Sequence, residues 1–327
     1  MLKDSNSHLI QVVNILKDGE YHDGTSIGKE LNITRSAVWK IIKKLTKYNI
    51  SITSIKNKGY ALQEPLILLN KDYITDALKV EDIQIEVFES LPSTHTYLKS
   101  FMPSQNVRFC IAEEQTEGKG RFNRKWYAPF GQNIYLSCIY PFQKELSELS
   151  GLSLVIGLAT IAALKEVSKD QFTLGLKWPN DLVYQGKKVG GILIEVQGES
   201  NGTCQALIGV GININMLHKD VIHIEKDWTA LREILGGYLD RNMLCVSLIR
   251  SILRYLELFA RDGIDFFHEE WKGVDALNGQ TIEINAGQEA SVKGIARGVN
   301  PLGHLILEKE NGVLQYIASG EATIQIF

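Results

Sequence analysis

The chain has 327 residues and a formal charge of −3, with 35 Lys and Arg against 38 Asp and Glu. That length accommodates two or three domains, and the near-balanced charge excludes a global basic field, so any nucleic-acid surface must be local. No unbroken apolar run reaches the roughly eighteen residues of a membrane span, and the segment Met1–Asn6 lacks the apolar core of a signal peptide; a cytoplasmic protein without membrane contact is expected. In chain order, Leu9, Val12, Val13 and Leu16 fall at i, i+3, i+4 and i+7, the stripe of an amphipathic helix that Gly19 ends. A short helix around Thr25–Leu31 leads through Asn32-Ile33-Thr34 into another that begins near Arg35. There Val38, Ile41, Ile42 and Leu45 form an apolar face, while Lys40, Lys43, Lys44 and Lys47 gather opposite. A cation stripe alone also fits a solvated helix face. Two helices across a tight turn, the second one basic, read as a helix-turn-helix. Ile50, Ile52, the turn Asn57-Lys58-Gly59, Tyr60 and Leu62 then read as a β-wing with Lys56 and Lys58 at its tip. A winged helix-turn-helix is favoured over a protein-interaction module. Its DNA-facing candidates are Thr25, Ser26, Arg35, Ser36, Lys40, Lys43, Lys44, Lys47 and Lys58, where cations neutralise phosphates and the recognition helix reaches base edges.

Gln63-Glu64-Pro65 closes this unit, and Leu66–Leu78 bridges into the next. Strands are expected at Gln84–Glu89, Phe109–Glu114, Asn133–Tyr140, Leu174–Lys177, Val189–Glu195 and Gln205–Asn213, with long helices at Leu152–Val167 and Arg241–Asp262. Short turns between successive strands predict a mixed sheet in an α+β fold rather than strict βαβ winding. After Trp271 come five short β-segments, Gln280–Asn285, Ala290–Val299, Leu305–Glu310, Val313–Ala318 and Thr323–Phe327, the pattern of a small SH3-like barrel. Cys110, Cys138, Cys204 and Cys245 form no Cys-x-x-Cys pair, which predicts reduced, mostly buried thiols. The seven histidines form no zinc-binding pattern, so no protein-held metal is expected.

Four segments of the central region carry chemistry. Ser93-Thr94-His95-Thr96 reads either as the N-cap of a helix Thr94–Phe101 or as a set of small donor–acceptors for a neutral ligand. Gln115 ends a strand and opens the loop Thr116–Gly131, within which Gly118-Lys119-Gly120-Arg121-Phe122-Asn123-Arg124-Lys125-Trp126 crowds cations around two glycines. Forked guanidinium donors on such a loop suit phosphates or carboxylates. Lys177-Trp178-Pro179-Asn180-Asp181 places a lysine at a strand end, readable as a solvated residue or as an electrostatic catalyst. The glycine-bearing strands Gly190–Glu195 and Gly209–Asn215 fit close strand packing or the floor of a pocket.

Together the loop and the Lys-Trp-Pro-Asn-Asp string resemble the signature of the biotin protein ligases, whose loop reads Gly-Arg-Gly-Arg-x-x-Arg-x-Trp. The resemblance runs from about Glu89 to Asn213, and the flanking units extend it over nearly the whole chain to the repressor-type members, which carry an N-terminal winged helix. It implies a class II synthetase-like ligase domain between the winged helix and the SH3-like unit, with domains at 1–64, 65–274 and 275–327. It implies a biotin site of Ser93, Thr94, His95, Gln115, Gly118, Lys119, Gly120, Arg121 and Lys177. The implied ATP site is Arg121, Arg124, Trp126, Lys177, Asn180 and Asn213, with Lys177 and Arg121 catalytic. Met216–Trp228 would close over adenine. Mg²⁺ is expected to arrive with ATP, Asp181 being a possible contact. The implied partners are a biotin carboxyl carrier domain, operator DNA and, once the adenylate has formed, a second copy of the chain. Two departures stand out: Lys119 where the family has Arg, and His95 where it has Asn. A lipoate-type ligase and a non-enzymatic biotin-sensing repressor remain as alternatives.

Overall fold

A computed structural model describes residues 5–198, 202–218, 224, 227–285 and 291–324. The N-terminal unit follows its apolar periodicity. Helices α1 (Ser5–Leu16), α2 (Gly24–Glu30) and α3 (Arg35–Lys47) bury Leu9, Val12, Val13, Leu16, Ile27, Val38, Ile42 and Leu45 against one another. The Asp23 carboxylate caps α2 by accepting from the Thr25 and Ser26 amides, and Thr34 Oγ1 caps α3 by accepting from Ala37 N. Strands β1 (Ile52–Ile55) and β2 (Gly59–Leu62) pair antiparallel as the wing. Tyr60 and His22 exchange two backbone hydrogen bonds of 2.9 Å. That close approach requires Gly59, whose φ is +109° and where a Cβ would lie 2.0 Å from the His22 carbonyl oxygen. Leu66, Leu68 and Phe130 complete this small core from the neighbouring unit.

The bridge Leu66–Leu78 contains a helix that its pattern does not announce, α4 (Lys71–Leu78), capped by Asn70 Oδ1. The central unit then runs β3 (Ile83–Leu91), α5 (Thr94–Lys99), β4 (Val107–Gln115), β5 (Ile134–Phe142), α6 (Leu152–Ser168), β6 (Gly175–Lys177), β7 (Asp181–Tyr184), β8 (Lys187–Gly198), β9 (Cys204–Ile212), α7 (Leu231–Leu235), α8 (Arg241–Asp262) and α9 (His268–Lys272). The sheet order is β3-β4-β5-β9-β8-β7-β6. Only β3 and β4 are parallel, with α5 in the crossover that such a pair needs; the other neighbours are antiparallel. The mixed sheet and the α+β class stand. Strand β7 is an addition, because Pro179 and Asn180 occupy a tight turn and Asp181 already pairs back onto Lys177.

The stretch Leu146–Ser168 is long and apolar enough, by length and composition, to cross a bilayer. Here α6 is instead a core helix, buried along most of its length and packed on α8 and the sheet. All four cysteines are free and buried. Behind the sheet, Arg241 of α8, fully buried, pairs with Glu113 of β4 at 2.7 Å and donates to the carbonyls of Ile67 and Asn133. Burial opposes the guanidinium charge, but the Glu113 carboxylate outweighs it and holds the proton more firmly than usual. Strands β10 (Thr281–Asn285), β11 (Val292–Val299), β12 (Leu305–Glu308), β13 (Leu314–Ile317) and β14 (Glu321–Ile324) form an antiparallel sheet in the order β13-β12-β11-β10-β14. Residues 290 and 325–327 of the expected strands lie outside the described residues. Ile282, Ile284, Leu305 and Leu307 join the core of the central unit, so the C-terminal sheet is packed on the ligase domain and not tethered beside it.

Candidate active site

Helix α5 presents the first group. Ser93 caps it, its Oγ accepting from Thr96 N at 3.3 Å. The N-cap reading of this segment holds, and Thr94 faces inward. Its amide and Oγ1 donate to the Gln115 side-chain oxygen at 2.8 and 3.1 Å, and Oγ1 shares a 2.8 Å hydrogen bond with Ser137 Oγ. Ser93, Thr94 and Ser137 are all at least 98% buried, so this polar cluster lies within an otherwise apolar sheet face. Ser137 was missed by the motif search. Its signal is present nonetheless, as the single aliphatic hydroxyl in the run Ile134–Ile139.

The glycine-rich loop folds back on itself. Trp126 N donates to Gly118 O at 2.8 Å and Gly120 N to Arg124 O at 2.7 Å. Gly118 is obligatory there, since a Cβ would lie 2.5 Å from the Trp126 carbonyl oxygen. The loop reaches the sheet through Trp126, whose indole lies on two glycines: a Cβ on Gly211 would come within 2.8 Å of the ring, and one on Gly191 within 3.3 Å. These strand glycines therefore serve as a seat for the loop's tryptophan, with Lys188 Nζ 5.4 Å from the ring centroid. Lys119 is exposed at the loop's edge.

The two signature strings meet at Arg121. Its Nη1 donates at 3.2 Å to Asn180 Oδ1, in the turn that follows Lys177, and at 3.2 Å to Gly320 O of the C-terminal unit. Partial burial lowers the affinity of this guanidinium for its proton. Asn180 Nδ2 in turn donates to Ile192 O at 2.8 Å, which fixes the turn across β8. Lys177 is half-buried at the end of β6, opposite Asp181. Asp181 accepts from Lys188 Nζ at 2.6 Å. Trp178 does not face the site; it is buried and donates from Nε1 to Gly303 O at 3.1 Å, clamping the hairpin to the C-terminal sheet. Arg124 is held by Glu321 in a two-pronged ion pair of 2.7 and 2.6 Å, a partner 197 residues away that no local pattern announces.

Asn213, buried, donates to Thr229 O at 3.2 Å and so braces the far end of the Met216–Trp228 segment. Trp228 is buried with His218 stacked on it, centroids 4.1 Å apart. Residues 219–223, 225 and 226 of that segment lie outside the described residues.

On α3, Arg35, Ser36, Lys40, Lys43 and Lys47 are exposed, as are Thr25, Ser26 and Lys58. Trp39, half exposed with Lys43 Nζ 5.7 Å from its ring centroid, shares that face and was missed. Lys44 is placed differently. It lies on the flank of α3 toward the ligase domain, where Glu89 of β3 holds its ammonium at 2.5 Å. Tyr48 donates to the same carboxylate at 2.5 Å and stacks on Phe130 at 4.0 Å. Lys44 therefore ties two domains together, unlike the exposed cations of the same helix.

Comparison with known proteins agrees with this geometry. The Biotin/lipoate A/B protein ligase family matches residues 87–213, an HTH domain residues 8–61 and the Biotin protein ligase C terminal domain residues 278–323. The bifunctional ligase/repressor BirA of Salmonella typhimurium is 34% identical over 325 residues, 99% of each chain, and that of Escherichia coli is equally similar over the same length. The biotin protein ligase of Aquifex aeolicus, solved in complex with biotin and ATP, matches with a TM-score of 0.64 at 28% identity, covering 74% of this chain and 98% of that one. Fold and site thus define a protein ligase of the biotin/lipoate class joined to a DNA-reading unit. The chain belongs to the biotin protein ligases, in the bifunctional form that carries a repressor helix-turn-helix.

Proposed function

We propose that this enzyme joins biotin and ATP into biotinyl-5′-adenylate and then passes biotin to a lysine ε-amine on a carboxyl carrier domain. In the first step the biotin carboxylate attacks the α-phosphorus and pyrophosphate leaves. In the second the amine attacks the acyl carbon, AMP leaves, and the amine gives up its proton as the amide forms. The observation that carries the reading is the contact between Arg121 and Asn180, which brings the cationic loop onto the Lys177 hairpin. Ser93, Thr94, His95 and Gln115, with Ser137, hold the neutral ureido head, while Gly118, Lys119 and Gly120 cover it. Lys177 and Arg121 stand between two anions, the carboxylate and the α-phosphate, and remove their repulsion along the line of attack. Arg124 and Trp126 serve ATP, and Arg124 exchanges Glu321 for a phosphate. Asn180 and Asn213 have their amides committed to Arg121, Ile192 and Thr229, so they shape the nucleotide site by holding its walls.

No three His, Cys, Asp or Glu side chains converge as a metal site among the described residues, and the Asp181 carboxylate is engaged by Lys188. Mg²⁺ would arrive with ATP, held mainly by phosphates and water, and would neutralise charge on the leaving pyrophosphate. The domains divide at 64/65 and 274/275, and the protein works in the cytoplasm. Its adenylate-bound form dimerises and represses transcription from a biotin operator. Incubation with ATP and either biotin or lipoate, followed by pyrophosphate release and carrier labelling, tests the reading. Turnover with lipoate alone, or with neither acid, defeats it.

A further inference from the structure

The family pattern has Asn where this chain has His95, and the structure surrounds that imidazole unusually. His95 is 95% buried at the start of α5, and neither ring nitrogen has a hydrogen-bond partner among the described residues. Leaving buried polar atoms unpaired is costly, and native folds seldom do so without a ligand, ion or water to satisfy them. The ring borders the polar cluster already described. A Cβ built on Gly209 would lie 3.1 Å from His95 Nδ1 and 3.6 Å from Ser137 Oγ, so both polar atoms border the same side-chain-free position on β9, where any side chain would crowd Nδ1. Ser137 is hydrogen-bonded to Thr94, and Thr94 to Gln115, which makes His95 Nδ1 the unsatisfied member of one continuous surface.

The other side of the ring is charged. Nε2 lies 3.5 Å from Glu195 Oε1 on β8, too long for a good hydrogen bond but close enough to orient a proton. Lys99 of α5 holds the same carboxylate at 2.5 Å, and this pairing keeps Glu195 ionised below the usual carboxylate range. An ionised Glu195 favours the tautomer with its proton on Nε2, leaving Nδ1 as an acceptor. A ureido ring offers two N–H donors.

We propose that neutral His95, its Nε2–H turned to Glu195, accepts a hydrogen bond at Nδ1 from a ureido N–H of bound biotin, so that protonation of this one imidazole gates ligand affinity. The inference rests on the biotin reading above. A protonated ring would point N–H at N–H and lose the bond. Burial lowers the proton affinity of His95 below that of an ordinary histidine; Glu195 opposes this, while Lys99 and the loop's Lys119 add to it. The sign follows: affinity is full above the titration, which lies below the ordinary value near 6.5, and falls as pH drops through it.

Calorimetric titration of the full-length protein with biotin from about pH 4.5 to about pH 8, a window reaching well below an ordinary histidine's midpoint, reads the gate. Below the titration midpoint the dissociation constant should rise by about tenfold per pH unit, the limit for one linked proton. His95→Asn keeps an acceptor but does not titrate, so its affinity should be flat across the range. In the wild type, the NMR titration of one histidine ring should shift to lower pH on adding biotin, a readout independent of any variant. Intact biotin binding with a flat wild-type profile, no histidine shift, or a His95→Asn profile as steep as wild type would each overturn the role of His95 while leaving the ligase reading in place. Absence of biotin binding at every pH would overturn both.

Discussion

Lys177 is the residue on which the proposed chemistry depends most directly. It is half-buried at the end of a strand, and in the proposed chemistry its value lies in charge that develops during attack, not in the ground-state grip on biotin. Lys177→Ala should therefore leave biotin binding nearly intact while slowing adenylate formation by about 10² or more, the scale of one lost electrostatic stabiliser. Equal pyrophosphate bursts from mutant and wild type would remove Lys177 from the reaction. Lys119 presents a subtler case. It keeps the charge of the family's arginine but lacks the two-pronged geometry, and it sits exposed at the loop's edge. Lys119→Arg should slow dissociation of biotinyl-adenylate or leave it unchanged. Faster release in a stopped-flow chase would mean that this loop is adapted to lysine.

At the scale of elements, the loop and sheet are fitted to one another. Trp126 rests where Gly191 and Gly211 have no side chains, and Arg121 closes onto the Asn180 turn. The rigid floor comes from β8 and β9, whose position depends in turn on the layer behind the sheet. There Glu113 and Arg241 join β4 to α8 and also anchor the bridge through Leu69 N and Ile67 O. Removing one partner leaves the other charge buried without compensation, so Glu113→Ala should cost about 3–5 kcal/mol of stability. Urea unfolding followed by tryptophan fluorescence checks this. A loss under about 1 kcal/mol, the scale of an exposed pair, would show that water reaches Arg241 and satisfies it.

At the scale of the whole molecule, the recognition helix is wired to the ligand loop. Tyr48, at the end of α3, stacks on Phe130, near the end of that loop, and shares Glu89 with Lys44 on the strand leading to Ser93 and Thr94. With Lys44 paired to Glu89, each copy offers few unengaged cations for phosphates, and affinity at physiological salt falls steeply with their number. A symmetric dimer doubles them and places two recognition helices on a palindromic site. Operator binding should therefore require biotin with ATP and coincide with dimerisation in sedimentation. Equally tight operator binding by the protein without either ligand would refute ligand-gated repression.

What the sequence determined by itself is whatever depends on neighbours a few residues apart. The apolar stripe of α3, the span of α8, the wing turn at Asn57-Lys58-Gly59 and both ligase strings are written in local spacing, because side-chain periodicity and backbone freedom act over one or two turns of chain. Strand β7 and helix α4 escaped because they are short and their burial comes from distant segments. Tertiary structure alone decided which side chains are spent on which partners. It turned Trp178 toward Gly303, gave Arg124 to Glu321, paired Lys44 with Glu89 and left the buried ring nitrogens of His95 without a hydrogen-bond partner among the described residues. Each of these depends on contacts between segments far apart in the chain, where charge and desolvation act through space and leave no trace in local spacing.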